Sequence, residues 1–188
     1  NLNETDAITL TALSNSDGAI TVMAGDAITA TNVSTTGGTD TDDVSLEGTS
    51  IEVDTVSASG LGDVILTATS GGITDTDMNS SVTANQLNLS ATGVIGGANA
   101  INTSVDELLS GNSSGTGDIN LNETDAITLT DLINSDGAIA VSTSGVITAV
   151  NVSSTGGADS DDITLAGTLI EVGTVSASGL GDVSLEAT

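Results

Sequence analysis

The densest chemistry in the chain lies in two acidic turns. Gly37-Gly38-Thr39-Asp40-Thr41-Asp42-Asp43-Val44 returns as Gly156-Gly157-Ala158-Asp159-Ser160-Asp161-Asp162-Ile163. Asp40, Asp42, Asp43, Asp159, Asp161 and Asp162 are therefore candidate ligands for a calcium ion. Calcium takes about six to eight oxygens at about 2.3–2.6 Å, and clustered carboxylates with corner carbonyls would supply them. The same residues have a plainer structural use, because an Asp in a polar turn accepts hydrogen bonds from nearby backbone N–H groups. Both readings stay open from the sequence alone.

A wider rank of Asp repeats the choice. Asp6 and Asp26 stand two residues before an Ile, and Asp43, Asp63, Asp118, Asp162 and Asp182 stand one before an Ile or Val. If residues 20 apart stack, Asp43 lies over Asp63 and Asp162 over Asp182. Two carboxylates about 5 Å apart repel by about 1 kcal/mol in water and by several near a protein surface. Relief comes from salt, backbone N–H donors, a raised pKa or bound cations.

No basic side chain is present to help. The 188 residues include 26 acids and no Lys, Arg or His, for a formal charge of −26, and they also lack Phe, Tyr, Trp, Cys and Pro. Nucleic acid is excluded as a partner, since phosphate binding needs Lys or Arg to displace counterions. Nucleophilic catalysis by His, Cys or Lys is excluded, as are Cys/His metal sites. Paired carboxylates on a β-scaffold suggest glycan hydrolysis, but the His, Arg and Lys that accompany such acids are missing. No enzymatic activity is expected. No apolar run approaches the roughly 18 residues of a membrane span.

The residues that must position these acids follow a repeat. Asn1–Thr11, NLNETDAITLT, returns unchanged at Asn120, and the match runs without a gap to Thr188 with about 50 of 69 positions identical. The chain divides into one long repeat, 1–119, and a partial second copy, 120–188, continuous with the first. Its start and finish in mid-pattern read as a window on a longer polypeptide. Within the repeat runs a shorter rhythm: Asp6-Ala-Ile-Thr9 recurs at Asp26–Thr29, and Asp43-Val44 at Asp63-Val64. Between Ile28 and Val44 the interval shortens to 16, which reads as one tighter turn. Each mark opens an alternating run such as Ile8-Thr9-Leu10-Thr11, bounded by Gly, Asn, Asp and Ser, the pattern of a short strand. Ser104–Leu109 is the best helical candidate, and a further strand is the better reading there.

Short strands with a superperiod near 20 predict an all-β fold, a right-handed parallel β-helix (β-solenoid) with coils of about 20 residues. Stacked Ile, Val, Leu and Ala fill a narrow interior without rings, which would overpack it. Glycine pairs such as Gly37-Gly38, Gly71-Gly72, Gly96-Gly97 and Gly156-Gly157 suit sharp corners. A β-sandwich is the competing arrangement, but it gives no reason for identity at a spacing of 20.

Gly62–Thr69 (GDVILTAT), Gly117–Thr124 (GDINLNET) and Ala98–Leu108 (ANAINTSVDEL) resemble the filamentous-haemagglutinin-type repeats of giant bacterial surface adhesins, including those of green sulfur bacteria. The resemblance implies a right-handed parallel β-helix, export to the cell surface and an adhesive or filament-forming role. Implied partners are further copies of the chain or a neighbouring cell surface. The acidic turns also resemble the Gly-Gly-x-Gly-x-Asp nonapeptide of calcium-binding RTX toxins, with Asp40 and Asp159 where the third Gly would stand. That likeness implies a calcium-responsive module as the alternative. Stacked Thr9/Thr11 and Thr29/Thr31 resemble the arrays of ice-binding solenoids, a third reading that the second copy interrupts at Val150. Asn-x-Ser/Thr at Asn3, Asn32, Asn88 and elsewhere are glycan acceptors if the source glycosylates its exports.

Overall fold

The computed structural model describes residues 1–188 as a single stack of parallel strands with no helix. No helix is therefore long and apolar enough to cross a membrane. Every inter-strand pairing is parallel, and each strand pairs with those one coil before and after it. The protein is a β-solenoid.

Its spine is a column of like residues. Ile8, Ile28, Ile51, Ile73, Ile95, Ile119, Ile139, Ile163 and Val183 are register partners in succession. Nine levels make eight steps, or roughly 38 Å of rod at about 4.8 Å per step. The first step spans 20 residues, as the sequence implies, while the step from Ile95 to Ile119 spans 24. A second column runs Ile20, Val44, Val64, Leu87, Leu108, Leu129, Ala149, Val172. The interval of 16 between Ile28 and Val44 is therefore no short turn. Ile28 stacks under Ile51 and Val44 over Ile20, so the two residues belong to different columns.

Strands form because alternate side chains are apolar. Val44–Gly48 and Val64–Ala68 bury every second residue. Other strands are longer than alternation alone suggests. Ile28–Thr35 buries Ile28 and Ala30, then Val33 and Thr35, with two outward residues, Thr31 and Asn32, between the pairs. That phase slip bends one strand around a corner so that both halves face inward. Ile51–Ala58 bends the same way at Asp54-Thr55. The segment containing Ser104–Leu109 is the longest strand, Ile101–Thr116.

One continuous core of 37 buried apolar side chains results, none aromatic, so like residues touch like along the axis. The glycine pairs serve two ends. Gly38, Gly96 and Gly97 take positive φ at corners. Gly37 does not, and its need is space: a Cβ there would sit 2.4 Å from the Asp42 carboxylate.

The long repeat is not a whole number of coils. Five steps carry Ile8 to Ile119, yet the counterpart of Ile8 is Ile127, eight residues further on. The second copy is consequently turned about the rod axis. Straight strands of the second copy (Ile139–Thr143, Ile163–Gly167, Val183–Ala187) lie above the column that passes through bent strands of the first. Its bent strand Leu169–Ala177 lies above the column of Val44 and Val64.

Candidate functional site: acidic turns and a carboxylate triad

The first acidic turn is tied together by Asp42. Its Oδ2 accepts the Thr39 N–H at 2.6 Å and the Thr39 hydroxyl at 2.7 Å, while Oδ1 accepts the Gly18 N–H at 2.6 Å from the coil below. The Thr35 hydroxyl closes the turn by donating to the Asp42 carbonyl. Asp42 is fully buried, and the hydroxyl of Thr39, followed by the N–H groups of Thr39 and Gly18, holds its pKa below the usual carboxylate value. Such a carboxylate acts as an internal cap.

Asp43 works outside the turn. Its Oδ1 accepts the Asp63 N–H at 3.0 Å, and Asp63 Oδ1 in turn accepts the Gln86 N–H at 3.0 Å. Asp118 does the same for the Ala138 N–H at 2.9 Å, and Asp162 for Asp182 at 2.7 Å. Four of the seven Asp in the rank, Asp43, Asp63, Asp118 and Asp162, thus each hold an amide one coil further along, while Asp26 accepts the Thr49 hydroxyl. Donation from the backbone offsets the repulsion between stacked acids without any basic side chain.

In the second turn Asp161 repeats the inward pose, with Oδ2 accepting the Ala158 N–H at 2.6 Å. Its Oδ1 is buried without a partner. The glycine corresponding to Gly18 is Gly137, whose φ is +141° where that of Gly18 is +91°. Asp40 and Asp159 are exposed. The six acids singled out from sequence do not converge: in neither turn do three carboxylates approach one another closely enough to share an ion.

Three other acids do. Carboxylate oxygens of Glu52, Asp75 and Asp77 all lie within 4.8 Å of one another. The bent strand Ile51–Ala58 places Glu52, and the turn after Ile73–Thr74 carries the two Asp residues. Glu52 accepts the Thr74 hydroxyl at 2.6 Å, and its other oxygen accepts the Thr76 N–H at 2.6 Å. Asp75 accepts the N–H groups of Asn79 at 3.2 Å and Ser80 at 3.0 Å. Burial pushes the Asp75 carboxyl up, but the Ser80 hydroxyl and the N–H groups of Ser80, Asn79 and Met78 outweigh it, leaving its pKa lowered. Asp54, close by, is raised by burial and then by the charges of Asp77, Glu52 and Asp75.

Sequence reasoning passed over this triad because Glu52 is 23 residues from Asp75. A local signal existed in Asp75-Thr76-Asp77-Met78-Asn79, alternate oxygen-bearing side chains of the kind that opens calcium loops. Met78, at φ +62°, supplies the left-handed residue of that turn.

One further acid turns inward. Glu123 is buried, with the Thr103 hydroxyl at 2.8 Å and the N–H groups of Thr124 at 2.7 Å and Val105 at 3.2 Å around its carboxylate. Burial pushes its pKa up, and the hydroxyl and amides offset only part of that.

No family model matches the chain, and neither a curated protein nor a solved structure does.

Proposed function

We infer that the chain is a structural segment of an extracellular rod, serving adhesion or filament formation at a cell surface. The observation that carries this reading is the unbroken column from Ile8 to Val183, which crosses from one repeat copy into the next without a change of partner type. Parallel strands stacked along an axis with a close-packed interior resist bending, and each added copy extends the reach without altering the contacts. The absence of Lys and Arg leaves no site for trypsin-like proteases, which suits exposure outside the cell. The reading assigns no catalysis. The likeness of the Gly62–Thr69 and Gly117–Thr124 stretches to filamentous-haemagglutinin-type repeats points the same way.

The test is imaging with surface labelling. Antibodies raised against the purified chain should decorate intact source cells, and electron micrographs should show thin rods. Label confined to the interior of broken cells would overturn the reading.

A second reading is a rod stiffened by calcium. The observation favouring it is the Glu52–Asp75–Asp77 triad, which draws one carboxylate from one coil and two from the next, so that an ion held there would tie adjacent coils. The acidic turns at Asp42 and Asp161 lend it less support, because each inward carboxylate already accepts an N–H of its own turn through Oδ2 and no three carboxylates meet there.

A further inference from the structure

The chain holds two Asp-Gly pairs, both inside the same hexapeptide, Asn-Ser-Asp-Gly-Ala-Ile, at residues 15–20 and 134–139. Local sequence gives both pairs the same chemistry, so a difference between them comes from what the fold sets beside each. In the first copy the amide that joins the pair is held: the Gly18 N–H donates to Asp42 Oδ1 at 2.6 Å. In the second copy the Gly137 N–H donates to no group of the protein, and Asp161 Oδ1, the counterpart of that acceptor, is buried without a partner. The register is the same in both, each glycine standing two residues before the pairs Ile20–Val44 and Ile139–Ile163. What differs is the rotation of the glycine, with φ +141° at Gly137 against +91° at Gly18.

The amides on either side of Gly137 are held. Asn134 Oδ1 accepts the Asp136 N–H at 3.3 Å, and Asp118 Oδ1 accepts the Ala138 N–H at 2.9 Å. Asn134 Nδ2 donates to the Ala138 carbonyl at 3.0 Å, which closes a bracket around the pair. Within the bracket Asp136 is exposed. Glycine is obligatory beside it, because a Cβ at 137 would stand 2.7 Å from the Gly117 carbonyl oxygen and 3.0 Å from Asp118 Oδ1. The corner therefore demands the one residue whose nitrogen no side chain shields.

We propose that Asp136-Gly137 is a site of spontaneous succinimide and isoaspartate formation, and that Asp42 protects the identical pair Asp17-Gly18. The Gly137 nitrogen attacks Cγ of the protonated Asp136 carboxyl. The N–Cγ bond forms, the Cγ–OH bond breaks, and the amide proton leaves with the hydroxyl as water. Water then adds to one carbonyl of the ring and breaks its bond to nitrogen. Addition at Cγ restores aspartate, whereas addition at the main-chain carbonyl leaves the chain running through Cγ with a free α-carboxylate. No oxidant, cofactor or enzyme is needed. The isoaspartyl link puts one extra carbon into the backbone between Asn134 and Ile139, whose side chains are both buried. It also converts into a carboxylate the Asp136 carbonyl that accepts the Gly117 N–H at 2.9 Å, and so remakes a contact with the coil below.

The test is uptake of heavy oxygen. The purified protein is held in oxygen-18 water, then unfolded and cut after Glu, which leaves Asp17 in fragment 5–47 and Asp136 in fragment 124–171. Each succinimide that hydrolyses fixes one solvent oxygen, and fragmentation spectra assign it to a residue. Label at Asp136 is expected to exceed that at Asp17 by about tenfold, the factor set by first breaking one hydrogen bond to a carboxylate. In urea, where neither amide is held, the two pairs should label alike. Asp42→Ala frees the Gly18 N–H and should bring Asp17 up toward Asp136, while Asp136→Glu should remove the label at that position. Equal labelling of the two pairs in the folded protein, or more at Asp17, would overturn the proposal. So would protection of Asp17 that survives Asp42→Ala in a chain still folded by circular dichroism. The wild-type comparison decides whether or not that variant folds.

Discussion

The carboxylate of Asp43 holds the backbone amide of Asp63, 3.0 Å away and one coil further along the rod. A side chain that should repel its stacked neighbour instead satisfies the N–H at the start of that neighbour's strand. Asp43→Ala removes the acceptor and leaves the amide of Asp63 to water, at a cost of about 1–2 kcal/mol. Asp43→Asn keeps an acceptor oxygen and should recover most of the loss. Thermal melts followed by circular dichroism compare the two, and equal losses would mean that the bond contributes nothing.

The inward and outward faces of the strand Val64–Ala68 supply an internal control for packing. Leu66→Ala empties a fully buried site and should cost about 2–5 kcal/mol. An equivalent truncation at Ile65, its outward-facing neighbour and 38% exposed, should cost under about 1 kcal/mol. Urea denaturation of both variants measures the difference. Equal losses would mean that Ile65 is covered in solution.

Acid should first strengthen the fold and then weaken it. The carboxyls of Glu123 and Asp54 have raised pKa values, so the folded chain holds their protons more tightly than the unfolded chain. The stability they contribute is full below the ordinary carboxylate pKa of about 4 and is lost as pH rises through their raised values. Asp42 and Asp75 are lowered, so their contribution is present above the ordinary value and is lost as pH falls through the lowered ones. A melting temperature that rises from pH 7 toward mild acid and drops in strong acid is expected. Glu123→Gln should flatten the rise and leave the drop in place; a rise unchanged in that variant would remove Glu123 from the explanation.

Salt and calcium separate general screening from a specific site. With a charge of −26 and no basic side chain, raising sodium chloride from about 0.01 to 0.15 M should raise the melting temperature. Calcium at matched ionic strength should raise it further if Glu52, Asp75 and Asp77 share an ion, and Glu52→Gln should cancel the extra part. Equal midpoints in the two salts would end the calcium reading.

The stack itself was legible because its period is carried by side chains that recur in contact. Asp-Ala-Ile-Thr at residues 6–9 and 26–29 places Ile8 under Ile28, and Val44 sits under Val64 as the spacing implies. Column membership was not legible from Ile28 and Val44. Corners absorb variable numbers of residues, so distance along the chain does not say which side of the rod a strand occupies. The bends were marked only by a shift from a spacing of two to three, as between Ala30 and Val33. The acidic turns were legible as turns, but their carboxylates' destinations depended on which amides the fold brings near. Gly18 meets Asp42 from 24 residues away, and Glu52 meets Asp75 across a coil.

The fractional advance of the long repeat has a consequence for anything that recognises it. The strands that open at Val44 and at its counterpart Ile163 lie on different flanks of the shaft, each preceded by an exposed acid, Asp40 or Asp159. A ligand, antibody or glycan-processing enzyme specific for one such feature would decorate consecutive copies in staggered fashion rather than in single file. Bulky visitors could then occupy neighbouring copies without colliding, and a shaft lying on a flat substrate would keep equivalent features both in contact and held clear of it.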